Sequence, residues 1–270
     1  AVGGKARRLN VIMPFLYESR QHKRSSRESL DCALALQELV SMGVDNIITF
    51  DAHDPRVQNA IPLSGFETVR PTYQFIKGLL RTVPDLIIDS DHMMAISPDE
   101  GGTSRAVYLA NVLGLDMGMF YKRRDYTQIV DGRNPIVAHE FLGSSVEGKD
   151  VIIIDDMISS GDSIIDVATE LKRRKAKRIF AAATFGLFTN GLDKFDKAYE
   201  EGIIHGILTT NLIYQTPELL SRPYYINCDL SKYIALLIDT LNHDGSISSI
   251  LSPNERIQHV VQKYKNGEPI

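Results

Sequence analysis

The sequence predicts an α/β protein built on largely parallel sheets, and three observations carry that prediction. Short apolar runs alternate with amphipathic stretches of helical period along the chain. The run at 151–154 consists of four consecutive apolar residues, the pattern of a strand buried on both faces. Acidic residues recur at the ends of such runs, where open α/β sheets hold ligands.

Taken in order, a strand at 9–14 leads to a helix at 26–42, where Leu30, Ala33, Leu34 and Val40 fall at helical spacing. Gly43 is placed to end that helix. A strand at 46–50 and a helix at 71–80 follow, then a strand at 93–97, a helix at 102–113 and a strand at 116–121. The strand at 151–154 feeds a helix at 162–174, whose last turn carries Lys172, Arg173 and Arg174, cations suited to the negative end of the helix dipole. A strand at 178–184, a helix at 194–200, a strand at 206–210 and helices at 231–241 and 253–263 complete the pattern. The first half holds fewer strands than the second, so its sheet reads as incomplete.

A chain of 270 residues, 43% hydrophobic and 24% charged, has the balance of a globular protein with one large core or two α/β units. No apolar run reaches the roughly 18 residues that span a bilayer, so no membrane partner is expected. The start, AVGGKARRLN, lacks the apolar core of a signal peptide and lacks Met, which suggests a chain cut at an internal position. Cys32 and Cys228 sit in apolar periodic segments without metal-ligand spacing and read as buried free thiols, consistent with a cytoplasmic location. The net charge of −4 and pI near 6.0 disfavour a general nucleic-acid partner.

Chemistry concentrates at VIIIDDMISSGDS, residues 151–163. Asp155 and Asp156 are expected at the carboxyl end of the strand, followed by Ser159, Ser160, Gly161, Asp162 and Ser163 opening a helix. Such a turn presents backbone N–H groups at the positive end of a helix dipole, which favours an anion. The carboxylates repel phosphate but accept hydrogen bonds from sugar hydroxyls, so a sugar phosphate suits the pair better than a bare nucleotide. There is no GxxxxGK[ST] loop, which excludes a P-loop kinase mechanism.

This run resembles the binding loop for phosphoribosyl pyrophosphate shared by type I phosphoribosyltransferases and the synthetases of that compound. Three further segments distinguish the two. FLYESRQHKR, residues 15–24, is similar to a synthetase segment in which Arg20 and Gln21 would contact ATP, with His22 in place of the usual Asp. IITFDAHD, residues 47–54, carries Asp51 and His53 in the family's Asp-x-His pattern. ISPDEGG, residues 96–102, places Asp99 as the synthetases do, and YKRR at 121–124 aligns Lys122 and Arg124 with the cations at the base of their flexible catalytic loop, here 126–135. The match runs in family order from about residue 8 to 240; Asp162 replaces a usual Gly and Phe185 a common His.

The resemblance to the ribose-phosphate pyrophosphokinase family implies two type I phosphoribosyltransferase-like domains, the first incomplete, and the N-terminal segment of the family is not found. The implied division is a partial ATP-side domain at 1–90, a ribose 5-phosphate domain at 91–242 and a helical tail at 243–270, the tail being a candidate to complete the first domain. It further implies diphosphoryl transfer from ATP to ribose 5-phosphate, with Mg²⁺ near Asp51, His53 and Asp99, ATP near Arg20, Gln21 and His53, and catalysis by Lys122 and Arg124. Ribose 5-phosphate would occupy Asp155, Asp156 and residues 159–163. The implied assembly is a dimer-based homo-oligomer such as a hexamer. Two rivals remain, a non-catalytic synthetase-like subunit and a phosphoribosyltransferase; the first would be expected to lose His53, Lys122 or Arg124, and the second to carry a base-binding hood.

Overall fold

A computed structural model describes residues 1–24, 26–124 and 136–270, with 122–124 and 136–139 in backbone only. The chain forms two compact units, Ala1–Pro71 and Thr72–Ile270.

The first unit contains a 3-10 turn (Val2–Gly4), β1 (Asn10–Met13), α1 (Asp31–Ser41), β2 (Asn46–Phe50), a 3-10 turn (Pro55–Ala60) and β3 (Gly65–Val69). The three strands make a parallel sheet in the order β1-β2-β3. Cys32 and Leu36 of α1 pack with Leu16, Val44, Ile47 and Val57 to form its core. The helix starts at Asp31, later than the expected 26, because Ser29 bonds the Asp31 carboxylate and the Glu28 N–H donates to the Ser26 carbonyl at 3.0 Å. Such local polar bonds compete with the helical ladder. Strand β3 was not anticipated; it is a half-exposed edge strand with little apolar content.

The second unit runs α2 (Thr72–Thr82), β4 (Met93–Ser97), α3 (Thr103–Leu113), β5 (Asp116–Arg124), β6 (Ile136–Leu142), β7 (Asp150–Ile158), α4 (Asp162–Arg173), β8 (Arg178–Gly186), α5 (Asp193–Glu200), β9 (Gly206–Thr210), α6 (Pro217–Leu220), β10 (Tyr225–Cys228), α7 (Ser231–Asn242), α8 (Ser248–Leu251) and α9 (Asn254–Lys265). Its sheet has the order β10-β9-β8-β7-β4-β5-β6, parallel except for β6, which returns antiparallel beside β5. Strand alternation divides the core. Met93, Ala95, Ile152 and Ile154 face a layer that includes Phe75 and Leu79 of α2, Leu109 of α3 and Ile257 of α9. Met94, Ile96, Val151 and Ile153 face Ile164, Val167 and Leu171 of α4 and Phe195 of α5.

This packing places the contact boundary at Pro71/Thr72, ahead of the 90/91 boundary read from the sequence. Helix α2 buries Phe75, Ile76, Leu79 and Leu80 in the same core as Leu208 of β9 and Ile226 of β10. The tail helix α9 joins that core through Ile257, Val260 and Val261, and its Tyr264 hydroxyl accepts from the Leu86 N–H at 2.7 Å. The thiols of Cys32 and Cys228 are free and buried, and burial pushes their pKa values up to about 11 and about 12.

Candidate active site

From β4 the chain passes outward to β5 and β6, then returns to β7 on the other flank of β4 and proceeds outward again to β10. The strand order therefore reverses between β4 and β7, and the carboxyl ends of two such strands leave a crevice suited to a ligand. Two expected segments meet there: the turn after β4 carries Asp99, and the end of β7 carries Asp155 and Asp156.

Strand β7 extends to Ile158, so Asp155 and Asp156 are strand residues rather than the first residues after it. The Asp156 N–H donates to the Asp155 carboxylate at 2.8 Å, and Asp156 is buried. Burial first, then the charge of Asp156, pushes the Asp155 carboxyl well above the ordinary carboxylate range; the charge of Asp99 acts in the same direction. Three acidic groups thus share one end of two neighbouring strands. They favour a partner that brings hydroxyl donors or positive charge.

The loop is reduced to Ser159, Ser160 and Gly161 before α4. Gly161 has φ +85°, and a Cβ built on it would lie 2.2 Å from Cζ of Phe195, a fully buried ring of α5. Only glycine fits this N-cap. The Ser159 carbonyl accepts from the Thr189 N–H at 3.0 Å, which ties the loop to the segment after β8. Among the described residues no hydrogen bond occupies the N–H of Ser159, Ser160 or Gly161, leaving these donors for an anion at the start of α4. Ser163 follows in the first turn.

Asp162 places a negative charge in the first turn of α4, and the fold compensates it. Its carboxylate accepts from the Ser160 hydroxyl at 2.9 Å and is paired with the ammonium of Lys194, which holds it below the ordinary carboxylate range. Neither Lys194 nor Phe195 was identifiable as a supporter of the loop from the sequence. Both act from a different helix, and no local motif marks them.

Asp99 is held by its own turn: its carboxylate accepts from the Gly102 N–H at 3.0 Å, and its carbonyl accepts from the Ser97 hydroxyl at 2.6 Å. Lys122 and Arg124 lie on β5 in antiparallel register with His139 and Ile136 of β6. The hairpin was not anticipated, because β6 follows a charged segment rather than a helix. The segment 126–135, expected to close over ATP, lies outside the described residues.

In the first unit, the turns after β1 and β2 converge. Asp51 is buried with φ +41°, and its N–H donates to the Val69 carbonyl at 2.9 Å. The His53 N–H donates to the Ser19 hydroxyl at 2.9 Å. Arg20 is exposed and Gln21 half-buried in the adjoining turn, whose Gln21 N–H donates to the Glu18 carbonyl at 2.8 Å. His22 has its ring 5.4 Å from that of His53 and its Nε2 3.3 Å from the Asp54 carboxylate, while its buried Nδ1 has no hydrogen-bond partner among the described residues. Arg56, and more weakly His22, hold Asp54 well below the carboxylate range. Arg20, Gln21, Asp51 and His53 therefore share the first unit, while Asp99, Lys122, Arg124 and the phosphate loop share the second.

A small-polar loop at a switch point, with carboxylates on both flanking strand ends, fits an α/β protein of the type I phosphoribosyltransferase-like class. A model of the phosphoribosyl transferase domain matches residues 75–204. The ribose-phosphate pyrophosphokinase of Pasteurella multocida is 30% identical over 252 residues, covering 92% of this chain and 74% of that protein. The ribose-phosphate pyrophosphokinase of Mycoplasma pneumoniae is 28% identical over 249 residues, with 92% and 72% covered. The crystal structure of phosphoribosylpyrophosphate synthetase from Mycobacterium smegmatis shares the fold, with a TM-score of 0.75 at 24% identity over 90% of this chain and 74% of that one. The chain belongs to the ribose-phosphate pyrophosphokinase family.

Proposed function

We propose that the chain transfers the β,γ-diphosphoryl group of ATP to the 1-hydroxyl of ribose 5-phosphate, giving phosphoribosyl pyrophosphate and AMP. The observation that carries this reading is the pairing of a phosphate cradle, Ser159 to Ser163, with the carboxylates Asp99, Asp155 and Asp156 at one switch point. Open N–H donors receive the 5-phosphate, and Asp155 and Asp156 accept hydrogen bonds from the 2- and 3-hydroxyls. The 1-hydroxyl oxygen attacks the β-phosphorus, the bond from that phosphorus to the α-phosphate oxygen breaks, and the hydroxyl proton leaves to solvent. Lys122 and Arg124 neutralise the charge that develops on the transferring oxygens. Arg20, Gln21 and His53 hold the nucleotide.

Asp51 and His53 in the first unit, and Asp99 in the second, are the residues assigned to Mg²⁺ by this reading, each as a donor within its own unit. The donor set fits, because Mg²⁺ takes one or two carboxylates and completes its shell with waters and substrate phosphate. Among the described residues no group of three His, Cys, Asp or Glu side chains converges on one point. When bound, the ion screens the triphosphate and acidifies the attacking hydroxyl.

The dimer-based homo-oligomer and the cytoplasmic setting belong to the same proposal; the two buried free thiols support a reducing compartment. The test is AMP release from MgATP with and without ribose 5-phosphate, for the natural sequence and for Lys122→Ala. Sugar-dependent release that falls about a hundredfold or more in Lys122→Ala, with ribose 5-phosphate binding retained, is the expected result. Undiminished turnover in that variant refutes the assigned role.

A further inference from the structure

The second unit has a cavity of about 440 Å³ between α2, β10, α7 and α9, lined in part by Lys77, Arg81, Lys232 and Arg256. Four cations face a single lining carboxylate, Asp229. That carboxylate accepts at one oxygen, Oδ1, from the Ser231 N–H at 2.8 Å and from the Asn211 amide at 2.7 Å, which fixes it at the start of α7. Arg81 donates to the Ile270 carbonyl at 2.7 and 2.9 Å, and Arg256 donates to the Ile250 carbonyl at 3.1 Å. Arg256 also lies 5.4 Å from the ring centre of Tyr73 and 5.8 Å from that of Tyr233. These two guanidiniums are fixed parts of the wall.

Lys77 and Lys232 differ from them. Among the described residues neither ammonium has a hydrogen-bond acceptor or a carboxylate partner; Lys77 has only the ring of Tyr73, 5.9 Å away. Lys77 is half-buried, and burial together with the charges of Arg81 and Lys232 lowers its proton affinity. A concave site that sets four cations against one carboxylate raises the local concentration of anions. Ile226, Gly78 and Leu236 add an apolar floor and rim, and a Cβ on Gly78 would already lie 3.0 Å from the Cys228 sulfur. Cavities of this size take ligands of small-metabolite dimensions.

We infer that this cavity is a binding site for a small multivalent oxyanion, phosphate or carboxylate, that carries an apolar portion. Lys77 and Lys232 form its charge contacts, Arg256 between the two tyrosines shapes it, and Leu236 covers the apolar part. The site is separate from the phosphate loop, sharing none of its residues, and its existence does not depend on the proposed reaction.

The chain contains no tryptophan, so Leu236→Trp creates a single indole reporter at a lining position that is 43% exposed. The full chain with this change is titrated with inorganic tripolyphosphate and, separately, with citrate, at low ionic strength and without Mg²⁺. A saturable change in indole emission is expected, and adding Lys77→Gln and Lys232→Gln should raise the midpoint at least about tenfold, as loss of two charge-assisted contacts implies. A response to tripolyphosphate alone assigns the site to phosphates, to citrate alone to carboxylates, and to both to multivalent oxyanions generally. Calorimetry on the natural sequence and on the double lysine variant covers the case in which the indole disturbs folding. No emission change or heat with either anion, or a midpoint indifferent to the two lysines, overturns the assignment.

Discussion

Replacing Gly161 by alanine isolates the physical demand of the phosphate loop. The backbone there has φ +85°, and an added methyl would approach Cζ, Cε2 and Cε1 of Phe195 at 2.2, 2.7 and 3.1 Å. The left-handed conformation costs a non-glycine residue about 1–2 kcal/mol, and crowding a packed ring costs about 1–3 kcal/mol. Phe195 cannot simply swing aside, because it is fully buried and holds an edge contact with Phe188 at 5.1 Å and 84°. The sum, about 2–5 kcal/mol, is a large share of the roughly 5–15 kcal/mol that stabilises a typical protein. Two relaxations are available: the loop lifts, weakening ribose 5-phosphate binding, or α5 shifts, lowering stability. Urea unfolding and calorimetric binding of ribose 5-phosphate, on Gly161→Ala, Phe195→Leu and the double variant, separate the terms. The double-variant cycle should show a coupling of about 1–3 kcal/mol, since the smaller side chain relieves the clash but not the torsion. A Gly161→Ala variant within about 0.5 kcal/mol of the natural protein and binding the sugar equally well would refute the reasoning.

At the opposite, amino-terminal edge of the sheet, Arg178 donates to both oxygens of the buried Asp150 at 2.8 and 2.7 Å. Arg178→Ala should cost about 3 kcal/mol or more in urea unfolding while leaving the KM for ribose 5-phosphate unchanged, because a buried carboxylate loses its partner far from the strand ends that bind. His205 accepts the Ile179 N–H on Nδ1 at 3.2 Å, and burial, with the charges of Lys172 and Arg178, lowers its pKa. The unfolded chain then binds a proton first as pH falls; stability from this group is complete above about pH 6.5 and declines as pH drops toward the folded value. His205→Asn should flatten the loss of stability between pH 7 and 5, measured by thermal melts across that range. His22 is predicted to matter through its ring contact with His53: His22→Ala should raise the KM for ATP more than that for ribose 5-phosphate, and equal changes in both would argue against a nucleotide-side role.

Several elements were legible residue by residue. Strands 46–50, 93–97 and 206–210 match β2, β4 and β9 in both bounds, because continuous apolar runs between turn residues leave little choice of period. The turn between β7 and α4 was legible for a similar reason, since small polar residues between a buried strand and a helix describe a local geometry. Helix α1 was read too long at its start, where Ser29 and Asp31 favour each other over the helical ladder. Strands β3, β6 and β10 escaped notice; all three lie at sheet edges, and the half-exposed β3 shows how weak an apolar pattern such a strand can carry.

The sequence by itself determined the α/β class, most of the strands and helices, and which polar residues stand at each strand end, because hydrophobic period and turn composition act between near neighbours. The tertiary structure alone decided that β4 and β7 lie side by side, which brings Asp99 to the same end as Asp155 and Asp156. It also decided that α2 and α9 close the second core, that Phe195 sits beneath Gly161, and that Lys194 answers Asp162. These pairings join residues far apart in the chain. They are selected by competition among whole packings, in which one buried ring or one buried charge outweighs every local preference.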